Sequence, residues 1–151
     1  GYAGTVSYTC TGSGTLSVSA NNCTNSLPSQ CTSYTSRDFD DTYVGLNGSG
    51  GSKCHSSLAT GWYRFSGTYK KLPEQGSYAV YTGNCHAPGY MQFSHPSTTG
   101  QSATGTVGFN YNNSNNYSTW GRTITVTNCG SYFVYSLVPT IGCSLCYPST
   151  N

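Results

Sequence analysis

Short segments in which apolar and polar residues alternate run along most of the chain. Such alternation is typical of strands, because successive side chains of an extended backbone lie on opposite faces. The segments TVSYTC and TLSVSA flank TGSG, which has the composition of a turn, and therefore predict a pair of strands. Val6, Tyr8 and Cys10 fall on one face of the first strand, and Leu16, Val18 and Ala20 fall on one face of the second.

Further strands are predicted in GWYRFSG, SYAVYT, YMQFS, TGTVGFNY, RTITVTNC and SYFVYSLV. No window keeps the i, i+3, i+4 apolar spacing of a helix, and Gly- and Asn-rich stretches separate the strand segments. Many short strands at this spacing predict an all-β fold. We interpret it as an antiparallel β-sandwich with an N-terminal strand-forming arm.

The segment GWYRFSG places an arginine between aromatic residues in a chain that is only 7% charged. Alternation assigns Tyr63 and Phe65 to the core face and Trp62 and Arg64 to the opposite face. On that face an indole and a guanidinium can lie against each other or against a neighbouring strand. This is a structural interpretation; a ligand-stacking patch is the alternative.

The cysteine content changes the picture more than the charge does. Only 35% of the 151 residues are hydrophobic, so fourteen tyrosines and a disulfide framework must supplement aliphatic burial. An even cysteine number at this density predicts four disulfides, hence a secreted, extracellular protein. We expect Gly1 to be the mature N-terminus after signal-peptide cleavage. The eight cysteines are Cys10, Cys23, Cys31, Cys54, Cys85, Cys129, Cys143 and Cys146.

Several functional classes are disfavoured by the composition. A net charge of +2 with scattered basic residues predicts no nucleic-acid partner, and no apolar run reaches the ~18 residues of a membrane span. Acid and base groups are too few to favour catalysis, so we predict no enzyme, no catalytic residue and no cofactor. The candidates for such groups are Asp38, Asp40, Asp41, Glu74, His55, His86 and His95.

Metal binding has a competing interpretation at each candidate position. Cys-His neighbours at 54–55 and 85–86, and the Cys-x-x-Cys at 143–146, have spacings used for zinc, but in an oxidising compartment disulfides are favoured. The acidic residues at 38–41 suit calcium, or alternatively hydrogen-bond within a turn. We predict no metal site.

Three segments resemble, in order, landmarks of a known family: GWYRFSG, GNCHAPGYMQFSHP and TVTNCGSYFVYSLVPTIGCSLCYP. The landmarks belong to the eight-cysteine domain of uromodulin and the pancreatic zymogen-granule membrane glycoprotein. DDTYVG followed by Cys54 also matches, so the resemblance covers roughly residues 38–148. It implies a β-arm at residues 1–37 and an eight-cysteine-type β domain at 38–151.

The cysteines depart from the family pattern. Five of them, from Cys54 to Cys146, occupy family positions by this resemblance, whereas Cys10, Cys23 and Cys31 lie upstream of it. Both numbers are odd. If all eight pair within the chain, at least one bond joins the arm to the domain; otherwise the arm is cross-linked to a neighbour.

Two classes of function fit these observations. One is a secreted, non-enzymatic structural subunit of a filament, matrix or coat, in which the arm pairs with an exposed sheet edge of the next copy, head to tail. The other is an adhesion or lectin-like module that binds glycans through exposed tyrosines. The resemblance implies secreted, heavily glycosylated, often polymer-forming relatives. We predict the structural role, with copies of the chain as partners, although the arm can also form the first two strands of its own sandwich.

Covalent glycans are predicted at the acceptor triplets Asn47-Gly-Ser, Asn112-Asn-Ser and Asn116-Tyr-Ser. Asn22 is a weaker acceptor because oxidation of the adjacent Cys23 competes with glycan transfer. Intact mass of secreted eukaryotic material, before and after enzymatic deglycosylation, measures occupancy. We expect a mass above 16.0 kDa that falls on treatment; an unmodified 16.0 kDa chain contradicts the prediction.

Overall fold

In the computed structural model, residues 3–10, 16–24, 26–46, 53–74, 81–111 and 120–151 are described, the first two ranges by their backbone only. Strands β1 (Ala3–Cys10) and β2 (Leu16–Thr24) form an antiparallel two-stranded sheet, called the hairpin below. Short 3-10 turns occur at Ser29–Cys31 and Asp40–Thr42. The other strands are β3 (Thr35–Arg37), β4 (Gly61–Phe65), β5 (Ala87–Met91), β6 (Ser102–Phe109), β7 (Arg122–Asn128), β8 (Phe133–Leu137) and β9 (Leu145–Cys146).

These seven strands form one curled sheet in the order β3-β4-β8-β7-β6-β5-β9. The all-β, disulfide-rich class is confirmed. Its arrangement differs from an antiparallel sandwich, because β3–β4 and β5–β9 pair in parallel at the two ends of the sheet. Parallel pairing requires a long connection, and these pairs are linked by residues 38–60 and 92–144.

Irregular segments also contribute residues to the core, namely Phe39, Leu58 and Leu72. They are attached by isolated bridges, such as Tyr43 to Ser149 and Lys71 to Thr150. One expected strand, YMQFS, is displaced: β5 begins earlier, at Ala87, and ends at Met91. Another, SYAVYT at residues 77–82, lies largely outside the described residues.

Aromatic residues make up six of the fifteen residues in the main buried cluster. The Phe39 and Phe65 rings stack at 4.1 Å between centroids, and the Phe65 and Tyr135 rings lie 5.0 Å apart. Tyr135 and Tyr147 are completely buried, and the Tyr147 hydroxyl donates to the Val138 carbonyl at 2.8 Å. Buried tyrosines stabilise a core when their hydroxyl groups are hydrogen-bonded, so they replace the aliphatic side chains that the chain lacks.

Strand β4 separates two clusters. Tyr63 and Phe65 are buried in the main core, with 6% and 1% of their surface exposed. On the other face Trp62 packs against a second, smaller cluster centred on Val134 and the Cys31–Cys129 pair.

Three disulfides join segments that are distant in sequence: Cys31–Cys129, Cys54–Cys143 and Cys85–Cys146. They span 98, 89 and 61 residues, and loops of this length give about 4 kcal/mol per bond in the chain-entropy account. Cys31, one of the three N-terminal cysteines, is thereby bonded to the end of β7. The segment 29–37 is thus attached to the seven-stranded sheet by a disulfide and by β3.

Candidate functional site

The hairpin has two chemically different faces. Its register pairs apolar residues with apolar residues and hydroxyl or amide residues with each other. Because directly opposite residues share a face, one face is apolar and the other is polar. The apolar hairpin face is formed by the pairs Val6–Ala20, Tyr8–Val18 and Cys10–Leu16. The polar face is formed by Thr5–Asn21, Ser7–Ser19 and Thr9–Ser17.

No third strand continues the hairpin ladder in the described part of the chain. An isolated two-stranded sheet is at best marginally stable in water and needs burial of one face. The apolar hairpin face is therefore the main candidate for an association surface.

A second surface feature is a row of rings formed by Tyr81, His86, Tyr111 and Trp120. Neighbouring ring centroids in this aromatic row are 4.7, 5.2 and 5.5 Å apart. Tyr81 stands at its end with 42% of its surface exposed and a backbone φ of 68°. A left-handed conformation is rare for a bulky residue, and such positions occur preferentially at functional sites. No sequence pattern signals this row, because its members come from separate segments.

Arg64 belongs to a structural cluster with two tyrosines. Its guanidinium carbon lies 4.1 Å from the centroid of the Tyr132 ring, and its Nη1 donates to the Tyr34 hydroxyl at 3.2 Å. The hydrogen bond from Arg64 lowers the pKa of Tyr34, with a smaller contribution from Tyr132. The Tyr132 hydroxyl donates to the Cys31 carbonyl at 2.5 Å. Arg64 therefore already stacks within its own chain, which favours the structural interpretation over a ligand-stacking patch.

His95 lies in a hydrogen-bonded chain between Glu74 and Tyr135. Its Nδ1 donates to Glu74 Oε1 at 2.5 Å, and its Nε2 accepts from the Tyr135 hydroxyl at 2.8 Å. The same hydroxyl accepts the Leu72 backbone N–H at 3.2 Å. Burial lowers the pKa of His95, against the effect of Glu74. Because Tyr135 is fully buried, this chain anchors the Ser-His-Pro turn to the core.

His55 is buried beside Phe39 and Tyr147, with centroid distances of 5.4 and 6.0 Å. Its Nδ1 accepts the Tyr147 backbone N–H at 2.9 Å, so this nitrogen carries no proton in the folded state. Burial, assisted by the charge of Arg37, lowers the pKa of His55 to about 4. His55 is therefore a neutral core residue.

The acidic residues at 38–41 form a turn. The Asp40 carboxylate accepts backbone N–H groups of Thr68 and Tyr69 at 2.6 and 3.0 Å, and the Tyr69 bond lowers its pKa most. Asp38 accepts the Asp40 N–H at 2.7 Å, while Asp41 pairs with Lys53 at 2.6 Å. These contacts favour the hydrogen-bonded turn over calcium binding.

The structure does not favour zinc binding, because the candidate cysteines form disulfides and so offer no thiolate ligand. These are the cysteines next to His55 and His86 and the two cysteines of the Cys-x-x-Cys segment. Among the described residues, no three His, Cys, Asp or Glu side chains are grouped to hold a metal ion.

Of the predicted glycan acceptors, Asn47, Asn112 and Asn116 lie outside the described residues. Asn22 lies in β2, where only the backbone is described. These four positions stay predictions.

Together the curled all-β sheet and its long-range disulfides define a disulfide-rich extracellular type of domain. A family model described as a uromodulin-like domain, of the eight-cysteine type, matches residues 63–149, which is more than half of the chain. The chain belongs to this family. No curated protein matches the chain.

Family membership and the three disulfides indicate an extracellular protein. Within the described ranges, no helix has the length and apolar character needed to cross a membrane.

Acidification is predicted to destabilise the fold through His55. An unfolded histidine binds a proton near pH 6.5, whereas folded His55 does so only near pH 4. Its contribution to stability is therefore complete above pH 6.5 and is lost as the pH falls towards 4. The loss is at most about 3 kcal/mol. Denaturant unfolding at a series of pH values, with disulfides intact, measures it.

Two variants separate titration from packing. His55→Asn keeps an acceptor for the Tyr147 N–H and removes the titrating group, so stability is expected to depend less on pH. His55→Ala removes the acceptor as well and is expected to lower stability at every pH. Identical pH dependence of the wild type and His55→Asn contradicts the prediction.

Proposed function

We propose that the protein is a secreted, glycosylated, non-enzymatic structural protein that self-associates as a subunit of an extracellular filament, matrix or coat. The observation that supports this most is the hairpin, which has an apolar face and no third strand in the described chain. Association of two copies through this face removes apolar surface from water, and that burial favours assembly.

The low charge of the surface assists association. With six basic and four acidic residues in 151, neighbouring copies repel each other weakly. The body behind the hairpin is held by three disulfides, so a copy can contribute its hairpin to a contact without losing its fold.

Symmetry decides what the hairpin contact builds. A head-to-tail contact repeats and gives a filament directly, whereas a two-fold contact closes as a dimer. A dimer extends only through a second surface, for which β3 is a candidate, since it is an edge strand with Thr35 and Ser36 exposed. In both cases the hairpin supplies the contact, and the residues that follow it, including β3 and the three disulfides, supply the stable body.

A single charge on the apolar hairpin face is predicted to weaken association. Val18→Asp places a carboxylate opposite Tyr8, where contact with another copy would desolvate it. We expect the dissociation constant to rise at least about tenfold, equivalent to about 1.4 kcal/mol. Sedimentation velocity over a concentration series measures this, with Cys10→Ser and Cys23→Ser present so that only non-covalent association is observed.

The matched control is Ser19→Asp, which introduces the same charge at the next residue but on the polar face. We expect it to associate like the parent. Equal effects of both substitutions, or a parent that stays monomeric at high concentration, refute the proposed contact.

The alternative function is a glycan-binding, adhesion-type module, supported by the aromatic row that ends at Tyr81. Sugar rings stack through their C–H faces on aromatic side chains, and an exposed ring in a strained conformation suits this use. Under this alternative, saturable binding on a glycan array is lost in Tyr81→Asn, since asparagine tolerates the left-handed backbone. Leu27→Asn, at a similarly exposed apolar position, retains binding. A wild type that binds no glycan eliminates this alternative.

A further inference from the structure

Cys10 and Cys23 lie too far apart in the hairpin to bond to each other. Cys10 is opposite Leu16, and Cys23 lies seven residues further along β2. At about 3.3 Å per residue this separation is about 23 Å. The Cα atoms of bonded cysteines lie about 4.4–6.8 Å apart.

No other cysteine of the chain is left for either of them. The remaining six are joined in three disulfides. In a secreted protein with this cysteine density, two cysteines without partners in their own chain imply bonds to another chain.

Both cysteines also belong to the same face of the hairpin. Cys10 is part of the apolar hairpin face by its pairing with Leu16. Near the open end the register shifts between Ala3 and Thr5, so that Asn22 and Cys23 lie opposite the single residue Gly4. Such a bulge places both residues on the face of their shared partner, and Gly4 lies on the same face as Val6, two residues further along the strand. The apolar hairpin face thus carries one cysteine at each end.

We propose that two copies of the chain form a two-fold dimer in which their apolar hairpin faces stack in opposite directions and Cys10 of each copy bonds Cys23 of the other. This inference rests on the proposed self-association. Opposite directions bring the turn end of one hairpin over the open end of the other, so both cysteine pairs meet at once. The occupant of the face is then a second copy, and the contact removes apolar surface of both copies from water.

Stacking in the same direction is disfavoured by the bodies of the two copies. Packed sheets lie about 10 Å apart, whereas a body of about 125 residues has a radius of gyration of about 14 Å. Each body follows directly after the open end of its hairpin, at residue 24. Hairpins stacked in the same direction would bring both bodies to one end, whereas opposite stacking places them at opposite ends.

The bond-forming chemistry is ordinary thiol–disulfide exchange. For each bond, one Cys10 thiol and one Cys23 thiol lose two protons and two electrons and form one S–S bond. The oxidant is a disulfide compound of the secretory compartment, such as oxidised glutathione, which is reduced to two thiols. The dimer therefore consumes two equivalents of this disulfide.

Two single variants and their mixture test the proposal. The full-length chain is secreted from eukaryotic cells and analysed on non-reducing gels and by mapping of disulfide-linked peptides. The wild type is expected to run at twice the monomer mass and to yield a Cys10–Cys23 linked peptide. Cys10→Ser alone and Cys23→Ser alone are expected to lose the dimer completely, whereas co-expression of both variants restores a dimer with one bond.

Other outcomes overturn the proposal. A dimer formed by either single variant alone means Cys10–Cys10 or Cys23–Cys23 bonds, and a ladder of higher multimers means an open head-to-tail link. Wild-type monomer with two free thiols or an internal Cys10–Cys23 bond removes the covalent dimer altogether. Association measured in the Cys10→Ser, Cys23→Ser background is independent of these results, so a failed covalent link and a failed self-association are told apart.

Discussion

Covalent closure between distant segments is the constraint on which the rest of the structure depends. Cys31–Cys129 holds β3 and the 29–31 turn to the end of β7, and the other two disulfides hold residues 54 and 85 to the C-terminal segment. The parallel pairings β3–β4 and β5–β9 lie next to these bonds. Parallel pairs require long connections whose closure costs entropy, and disulfides reduce that cost by restricting the unfolded chain.

The interior extends this logic with buried polar side chains that hydrogen-bond to distant segments. The Tyr135 hydroxyl hydrogen-bonds to the His95 ring and to the Leu72 backbone N–H. The buried Thr42 hydroxyl donates to the backbone carbonyls of Phe39 and Tyr147. In an apolar-poor chain these groups supply volume, and their hydrogen bonds keep the cost of burial low. The same arrangement makes the fold sensitive to acid, because His55 accepts a backbone N–H only while it is neutral.

Local patterns in the sequence predict local features well. Alternation separates Tyr63 and Phe65 from Trp62, and it aligns the apolar residues of the hairpin, because both depend only on the two-residue period of a strand. The parallel ends of the sheet, the disulfide partners and the aromatic row could not be predicted. Each joins segments far apart in the chain, and no local period encodes which distant segments meet. The left-handed backbone of Tyr81 is equally unmarked, since glycine and asparagine, and not tyrosine, signal such a conformation in a sequence.

In the proposed assembly, the hairpin and the body divide the requirements between them. A body closed by disulfides loses little freedom when it joins another copy, so the ordering cost of association falls mainly on the hairpin. The hairpin is short, two-faced and marginal alone, which makes its apolar face dependent on a partner. Placing one cysteine at each end of that face adds selectivity, because only a partner in the correct direction and register brings both thiol pairs within bonding distance. The stacking of the two apolar faces and the formation of both disulfides then require the same direction and register of the hairpins. A misaligned contact forms no disulfide and therefore stays reversible.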